Sequence, residues 1–199
     1  EKIGDGVTTV KNGDHVVLHW RKSTGIESAT PKYSWNGKKL NAGRITTFNE
    51  KAIVSENRLT LIPSNFDMRI APLFGCAVTS GFGIINNDAK VKIGQSVLIF
   101  GVGGIGLNIA QAASMVSAYP IVGIDIHKHK IDMGKKFGIT HGLLASSNNL
   151  KDEINKIVGD KGVDIVIETT GNSRIIEQAY DLTNSEGKIT SHLMGLFSR

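Results

Sequence analysis

The sequence predicts an α/β protein, with a doubly wound parallel sheet preceded by part of a small, β-rich, barrel-like domain. From residue 78 onward, apolar strand segments alternate with amphipathic helical segments, which requires a parallel sheet covered on both faces. Before that point, short apolar runs are separated by polar turns, as in small barrels. We therefore predict two domains, spanning residues 1–77 and 78–199.

Composition excludes several classes of protein. The 199 residues suffice for one full domain and part of another, and no apolar run is long enough to span a bilayer. Cys76 is the single cysteine, which excludes an internal disulfide and favours a reducing, cytoplasmic location. No signal-peptide pattern follows Glu1. The net charge of +5 is spread thinly, so neither nucleic-acid nor membrane binding is predicted.

The first domain is predicted to consist of short strands joined by polar loops. The strand candidates are Val16–Trp20, Phe48–Val54 and Arg58–Ile62. Residues 21–43 are rich in Lys, Ser, Gly and Asn, which predicts a long loop with a short hairpin at Asn36-Gly37. The segment Met68–Ile85 is predicted to be largely helical.

Five strands and four helices are predicted for the second domain. The strands are Val97–Phe100, Ile121–Ile126, His141–Ala145, Val163–Glu168 and Lys188–Met194. The helices between them are Ile105–Ser117, Lys128–Phe137, Asn149–Gly159 and Ser173–Leu182. The expected strand order is 3-2-1-4-5, and a six-stranded form needs one more strand. We therefore expect the chain to be a fragment of a longer protein.

A glycine-rich turn follows the first strand of this domain and indicates a dinucleotide site. In the segment 101–106, GVGGIG, Gly101 permits the tight turn, Gly103 lets a pyrophosphate approach the backbone, and Gly106 lets the helix pack on the sheet. Gly104 belongs to the same phosphate-binding segment. The helix that starts here directs free N–H groups and the positive end of its dipole at the phosphates.

Asp125 ends the next apolar strand, about twenty residues beyond the glycines, where such folds place an acidic residue. Its carboxylate can accept hydrogen bonds from both hydroxyls of an adenosine ribose, and it repels a 2′-phosphate. The sequence therefore predicts a site that prefers NAD to NADP.

These motifs together resemble the zinc-type, medium-chain alcohol dehydrogenase superfamily. The segments that carry the resemblance are Gly13–Val17, Phe48–Val54, Gly75–Gly83 and Val91–Lys130. The resemblance implies that residues 1–77 are part of a GroES-like catalytic domain. It further implies that residues 78–199 are a Rossmann NAD-binding domain that lacks its last strand.

The resemblance also implies roles for individual residues. Cys76 matches a ligand of the catalytic zinc, whose other ligands in the family lie earlier in the chain than Glu1. Ser80 matches a hydroxyl residue beside the nicotinamide, and Ile105 an apolar residue behind its ring. Lys130 matches a residue that reaches the adenosine ribose. We expect zinc in the full-length protein and not in this chain.

The rim formed by the carboxyl ends of the strands supplies further candidates. Thr170 and Gly171 follow the fourth strand and are predicted near the nicotinamide ribose, and Met194 and Gly195 near the carboxamide. Asp164 and Glu168, two carboxylates of the fourth strand, are interpreted as solvated or capping groups. The six histidines show no metal-ligand spacing.

The function expected is zinc-assisted hydride transfer between an alcohol or polyol and NAD, with small alcohols or aldehydes as partners. The alternatives are a zinc-free reductase of the same superfamily and a non-catalytic NAD-binding module. An S-adenosylmethionine-dependent methyltransferase is disfavoured by the glycine spacing and by the segment 75–83. The substrate is not encoded in a readable pattern, and a homodimer is a further hypothesis.

Overall fold

The computed structural model describes residues 1–191 and divides the chain into two compact units, Glu1–Cys76 and Ala77–Arg199. Among the described residues, no helix combines the length and apolarity needed to cross a membrane.

The first unit contains two antiparallel strand pairs. Strand β1 (Val16–Leu18) pairs with β4 (Leu59–Leu61), and β2 (Tyr33–Trp35) pairs with β3 (Lys38–Leu40). The predicted hairpin is confirmed, because the turn Asn36-Gly37 between β2 and β3 has positive φ at both residues. A short helix, α1 (Ala71–Phe74), precedes the end of this unit.

A buried carboxylate organises the loops of this first unit. Glu56 begins a 3-10 turn, Glu56–Arg58, and is only 4% exposed. Its oxygens accept hydrogen bonds from the backbone N–H groups of Ile26, Thr8 and Thr9, each at 2.8 Å. These bonds, from Ile26 first, lower the pKa of Glu56 from 4.5 to about 2. One side chain thus fixes two segments distant in sequence.

The predicted strand Phe48–Val54 is wrong, since this segment has no strand structure. Its apolar side chains lack a buried face: Phe48 is fully exposed and Ile53 largely so. The backbone N–H of Ile53 donates instead to the Tyr33 hydroxyl, at 2.9 Å. An apolar alternation without an inner face to bury does not make a strand.

The predicted helical segment Met68–Ile85 is interrupted. Helix α1 ends at Phe74, and α2 (Ala77–Gly83) follows in the second unit and continues into a π-helical turn, Ile84–Ala89. Gly75 lies at the interruption, where an added Cβ would lie 2.3 Å from the carbonyl oxygen of Leu18.

The second unit is a five-stranded parallel sheet, as predicted. Its strands are β5 (Val97–Phe100), β6 (Ile121–Asp125), β7 (His141–Leu144), β8 (Val163–Glu168) and β9 (Thr183–Ser191). The order β7-β6-β5-β8-β9 confirms the expected topology. The helices that follow β5 to β8 are α3 (Gly104–Met115), α4 (Lys128–Lys136), α5 (Leu150–Val158) and α6 (Ser173–Leu182).

Strand β5 shows why the sheet needs cover on both sides. Val97 and Ile99 lie in one apolar cluster with residues of α3, whereas Leu98 and Phe100 lie in another with residues of α5 and α6. Alternate residues of a strand point to opposite faces, so each cluster fills one side of the sheet.

The last strand begins earlier than predicted. β9 starts at Thr183 rather than Lys188, and its register against β8 shifts between Val163 and Ile165. The polar run between Thr183 and Lys188 resembles a turn in the sequence, but in the structure it forms an irregular start of the strand. The predicted end at Met194 lies outside the described residues.

Candidate functional site

The candidate site lies at the carboxyl ends of the central strands, where open α/β sheets have their ligand crevice. β5 pairs with β6 on one side and with β8 on the other. The chain leaves β5 towards β6 and returns later on the opposite side, so this is the point at which the strand order reverses. Open α/β sheets bind their ligands at such a point.

The turn after β5 forms the floor of the crevice. Gly101 has φ +92, and Gly106 packs so closely that an added Cβ would lie 2.0 Å from the carbonyl oxygen of Gly101. A Cβ at Gly103 or Gly104 would meet nothing within 4 Å. Helix α3 starts at Gly104 and leaves its first N–H groups without acceptors inside the helix. The turn is therefore tight where the helix meets the sheet and open where a phosphate would approach.

Asp125 is fixed against this turn. The residue is 7% exposed, and its Oδ2 accepts the backbone N–H of Val102 at 2.9 Å. Oδ1 accepts the N–H of His127, also at 2.9 Å, and lies 3.8 Å from Nζ of Lys130. Each carboxylate oxygen keeps a further lone pair. The carboxylate is thus oriented and can accept more hydrogen bonds.

The turn after β8 is tied to the turn after β5. The Thr169 hydroxyl lies 2.9 Å from the carbonyl oxygen of Phe100 and 3.1 Å from that of Gly101, within donor reach of both. An added Cβ at Gly101 would lie 2.5 Å from that hydroxyl oxygen, so glycine is needed there. Thr170 is exposed beside it, and Gly171 has φ +72.

Of the two interpretations of Glu168, as a solvated or as a capping group, the first is wrong because the residue is completely buried. Its Oε1 accepts the N–H and hydroxyl of Thr170, and the N–H of Gly171 at 2.9 Å. Oε2 accepts the Ser191 hydroxyl at 3.2 Å. In the sequence, Glu168 directly follows Ile167 in an apolar strand. That position was the available signal that its side chain is buried.

Asp164 lies at the opposite end of β8 and is likewise occupied. It is partly buried and accepts the N–H and hydroxyl of Ser96, both at 2.8 Å, and the side-chain amide of Asn184 at 2.7 Å. Burial raises its pKa, but the bonds from Ser96 and Asn184 outweigh burial and lower the pKa below the usual 3.8. The carboxylate therefore joins β8 to the residue before β5 and to β9.

The remaining predicted site residues have the following positions. Ser80 is half-buried in α2, next to Gly81, which packs against Asn108 of α3. Ile105 is partly buried against the apolar cluster of its face of the sheet. Cys76 is exposed at the end of the first unit. Met194 and Gly195 lie outside the described residues.

The described residues do not supply a complete metal site. Within residues 1–191, no three His, Cys, Asp or Glu side chains lie close enough together to hold an ion. A tetrahedral zinc site of the catalytic kind needs three protein ligands. Cys76 alone therefore does not fit the metal.

Comparison with known proteins agrees with this geometry. Residues 104–197 match the family described as zinc-binding dehydrogenase. An S-(hydroxymethyl)glutathione dehydrogenase of Escherichia coli is 30% identical over 208 residues, which cover 90% of this chain and 56% of the relative. A relative of the same name from Photobacterium damsela subsp. piscicida is equally similar. The chain thus spans little more than half the length of these curated relatives.

Solved structures give the same picture for the fold. The alcohol dehydrogenase zinc-binding domain protein of Burkholderia ambifaria is 26% identical, with a TM-score of 0.65 over 69% of this chain and 37% of its own. The benzyl alcohol dehydrogenase of Acinetobacter calcoaceticus, at 24% identity, matches all of this chain and 61% of its own with a TM-score of 0.78. The likeness to the second confirms the predicted fold class. The matches to the family and to these relatives support a relationship between the chain and the zinc-type medium-chain alcohol dehydrogenase superfamily.

Proposed function

We propose that the crevice binds NAD and that the protein of which these residues form part transfers hydride between a small alcohol and NAD. The observation that supports this most is the open glycine turn with Asp125 held against it. The turn offers unshielded N–H groups to a pyrophosphate, and the carboxylate lies where an adenosine ribose would follow.

Each element of the crevice has a part in this proposal. Gly101, Gly103, Gly104 and Gly106 hold the pyrophosphate, with the start of α3 supplying N–H donors. Asp125 and Lys130 accept and donate hydrogen bonds at the adenosine ribose. The carboxylate disfavours a 2′-phosphate because two negative charges would lie close together.

We assign the nicotinamide half of NAD to the side of β5 on which β8 lies. Thr170 and Gly171 lie beside the nicotinamide ribose, and Ser80 and Ile105 beside the ring. Met194 and Gly195 are proposed as neighbours of the carboxamide because they are predicted to end the fifth strand at the same rim. NAD, when bound, supplies the carbon that accepts hydride. The chain's own task is to hold that carbon in one orientation and to keep water from it.

Cys76 is proposed as a zinc ligand on the family resemblance alone. Residues 1–191 contain no group of three His, Cys, Asp or Glu side chains that could hold an ion, so the reaction is not traced through a metal. We further propose that residues 1–77 correspond to part of a GroES-like catalytic domain and residues 78–199 to the NAD-binding domain. The single cysteine supports a reducing, cytoplasmic location, and a homodimer is proposed as the assembly.

The experiment is a fluorescence titration of the chain with NADH and with NADPH. The wild-type chain is expected to bind NADH more tightly than NADPH. In the Asp125→Asn variant the difference between the two affinities is expected to be smaller, because the amide removes the charge with little change in shape. Equal or tighter binding of NADPH by the wild type would overturn the role of Asp125. Binding of neither would overturn the proposal for the whole crevice.

A further inference from the structure

Glu168 is a completely buried carboxyl group at the carboxyl end of β8, and the coenzyme assignments above give it no part. Burying a carboxylate is costly unless hydrogen bonds satisfy its oxygens. Here four donors converge on the two oxygens, and three of the four belong to Thr170 and Gly171. The group is therefore bonded mainly to the turn that follows its own strand.

Apart from the bonds of Thr169 to the turn after β5, Glu168 supplies most of the contacts that fix the shape of the turn after β8. Thr170 is exposed, and Gly171 has φ +72, a conformation that glycine adopts without preferring it to others. Three donors on a single oxygen, Oε1, select one conformation of the turn. The Ser191 hydroxyl on β9 holds the second oxygen at 3.2 Å, so the carboxyl group is itself fixed from the far side.

The position of the turn defines which half of a dinucleotide it faces. The pyrophosphate is assigned to the start of α3, and the adenosine ribose to the end of β6. Since β8 lies on the opposite side of β5 from β6, the remaining half of the dinucleotide extends over the turn after β8.

We infer that Glu168 is a positioning residue for the nicotinamide half, which it serves by fixing the turn 169–171; this rests on the proposed binding of NAD. The affinity for NADH depends on Glu168, whereas the affinity for ADP, which lacks the second ribose and the nicotinamide, does not. A residue needed only for folding would affect both ligands alike.

Asp164 provides a matched control on the same strand. It too is a carboxylate that accepts several hydrogen bonds, but it lies at the amino end of β8, away from the crevice. Loss of either carboxylate removes hydrogen bonds from the sheet. Only the loss of Glu168 releases the turn beside the crevice.

The experiment titrates the 199-residue chain with NADH and with ADP, comparing wild type, Glu168→Gln, Glu168→Met and Asp164→Asn. Glu168→Gln keeps the shape but offers a neutral oxygen to three donors, and we expect about tenfold weaker NADH binding with ADP binding unchanged. Glu168→Met, which removes all four acceptor contacts, weakens NADH binding further. Asp164→Asn lowers the unfolding temperature and leaves the ratio of the two affinities unchanged.

The possible outcomes separate this inference from the proposed function. Suppose that wild type binds both ligands. If Glu168→Gln then weakens the binding of both ligands equally, or weakens the binding of neither, the positioning role is wrong and the proposed coenzyme site stands. If wild type binds neither ligand, the proposed function and the inference fall together. Should Glu168→Met not fold, the Gln variant alone decides the question.

Discussion

At the scale of single residues, two glycines of one turn have separable tasks. Gly106→Ala would place a Cβ 2.0 Å from the carbonyl oxygen of Gly101, so α3 must move and stability falls by about 1–3 kcal/mol.

Gly103 is extended, with φ −87 and ψ −163, and has open space around it. Gly103→Ala therefore keeps the unfolding temperature but lowers NADH affinity about tenfold or more, because the new methyl group occupies the phosphate approach.

Gly83 supplies the control for these two variants. It is helical, with φ −62 and ψ −40, and an added Cβ would touch only Asn87, at 3.9 Å. Gly83→Ala is expected to leave the NADH affinity, measured by titration, unchanged and to raise the unfolding temperature, measured by calorimetry, because alanine favours a helix over glycine by about 0.5–1 kcal/mol. Equal loss of binding in Gly103→Ala and Gly83→Ala would contradict the phosphate-approach role.

The sequence predicted the residues of this turn but not the buried carboxyl group beside it. Gly101, Gly106 and Asp125 are recognisable because their chemistry depends on spacing along the chain. The position of Glu168 in an apolar strand indicates burial, but its contact with Ser191, a residue of another strand, arises only in the assembled sheet. Contacts of that kind have no local signature.

At the scale of elements, Asp164 connects the amino ends of three strands. The Asp164→Asn variant is expected to lose about 1–3 kcal/mol of stability at neutral pH, because the hydrogen bonds from Ser96 and Asn184 lose their charged acceptor. The folded-state pKa lies below the usual 3.8, so this contribution is complete above that pH and disappears as the pH falls through the lower, folded-state value.

Urea unfolding of wild type and Asp164→Asn at a series of pH values tests this expectation. The difference between the two free energies of unfolding should be constant above about pH 5 and shrink below the usual pKa of an aspartate. A difference that grows on acidification would show that the sign is wrong.

The strand order was predictable because parallel crossovers leave few arrangements for alternating strands and helices. The limits of β9 and the lack of strand structure in the segment 48–54 were not predictable from the sequence. In β9 the hydrogen bond from Asn184 to Asp164 helps to accommodate a polar run, and in the segment 48–54 apolar residues remain at the surface. Both outcomes depend on tertiary partners, which override local preference.

At the scale of the whole molecule, the unfolding of the two units can be monitored separately. Both tryptophans, Trp20 and Trp35, lie in the first unit, so tryptophan fluorescence reports on that unit alone. Glu56, with its pKa lowered to about 2, stabilises the first unit fully above 4.5, and the stabilisation is lost as the pH falls towards 2. We expect Glu56→Gln to unfold this unit more readily at neutral pH.

The same variant is expected to become similar to wild type at the acid end of that range, since protonation neutralises the wild-type carboxylate. Tryptophan emission during acid titration measures the first unit, and NADH binding at neutral pH measures the second. Unchanged tryptophan emission between Glu56→Gln and wild type at all pH values would contradict the organising role of this carboxylate.

The hydroxyl of Thr169, within donor reach of two carbonyl oxygens of the neighbouring turn, has a consequence for ligand entry. If the proposed NAD binding holds, the turns after β5 and β8 are already joined before the coenzyme arrives, so little chain entropy is lost when it binds. The ordering cost is met during folding, and preorganisation of this kind favours affinity without any additional contact to the ligand.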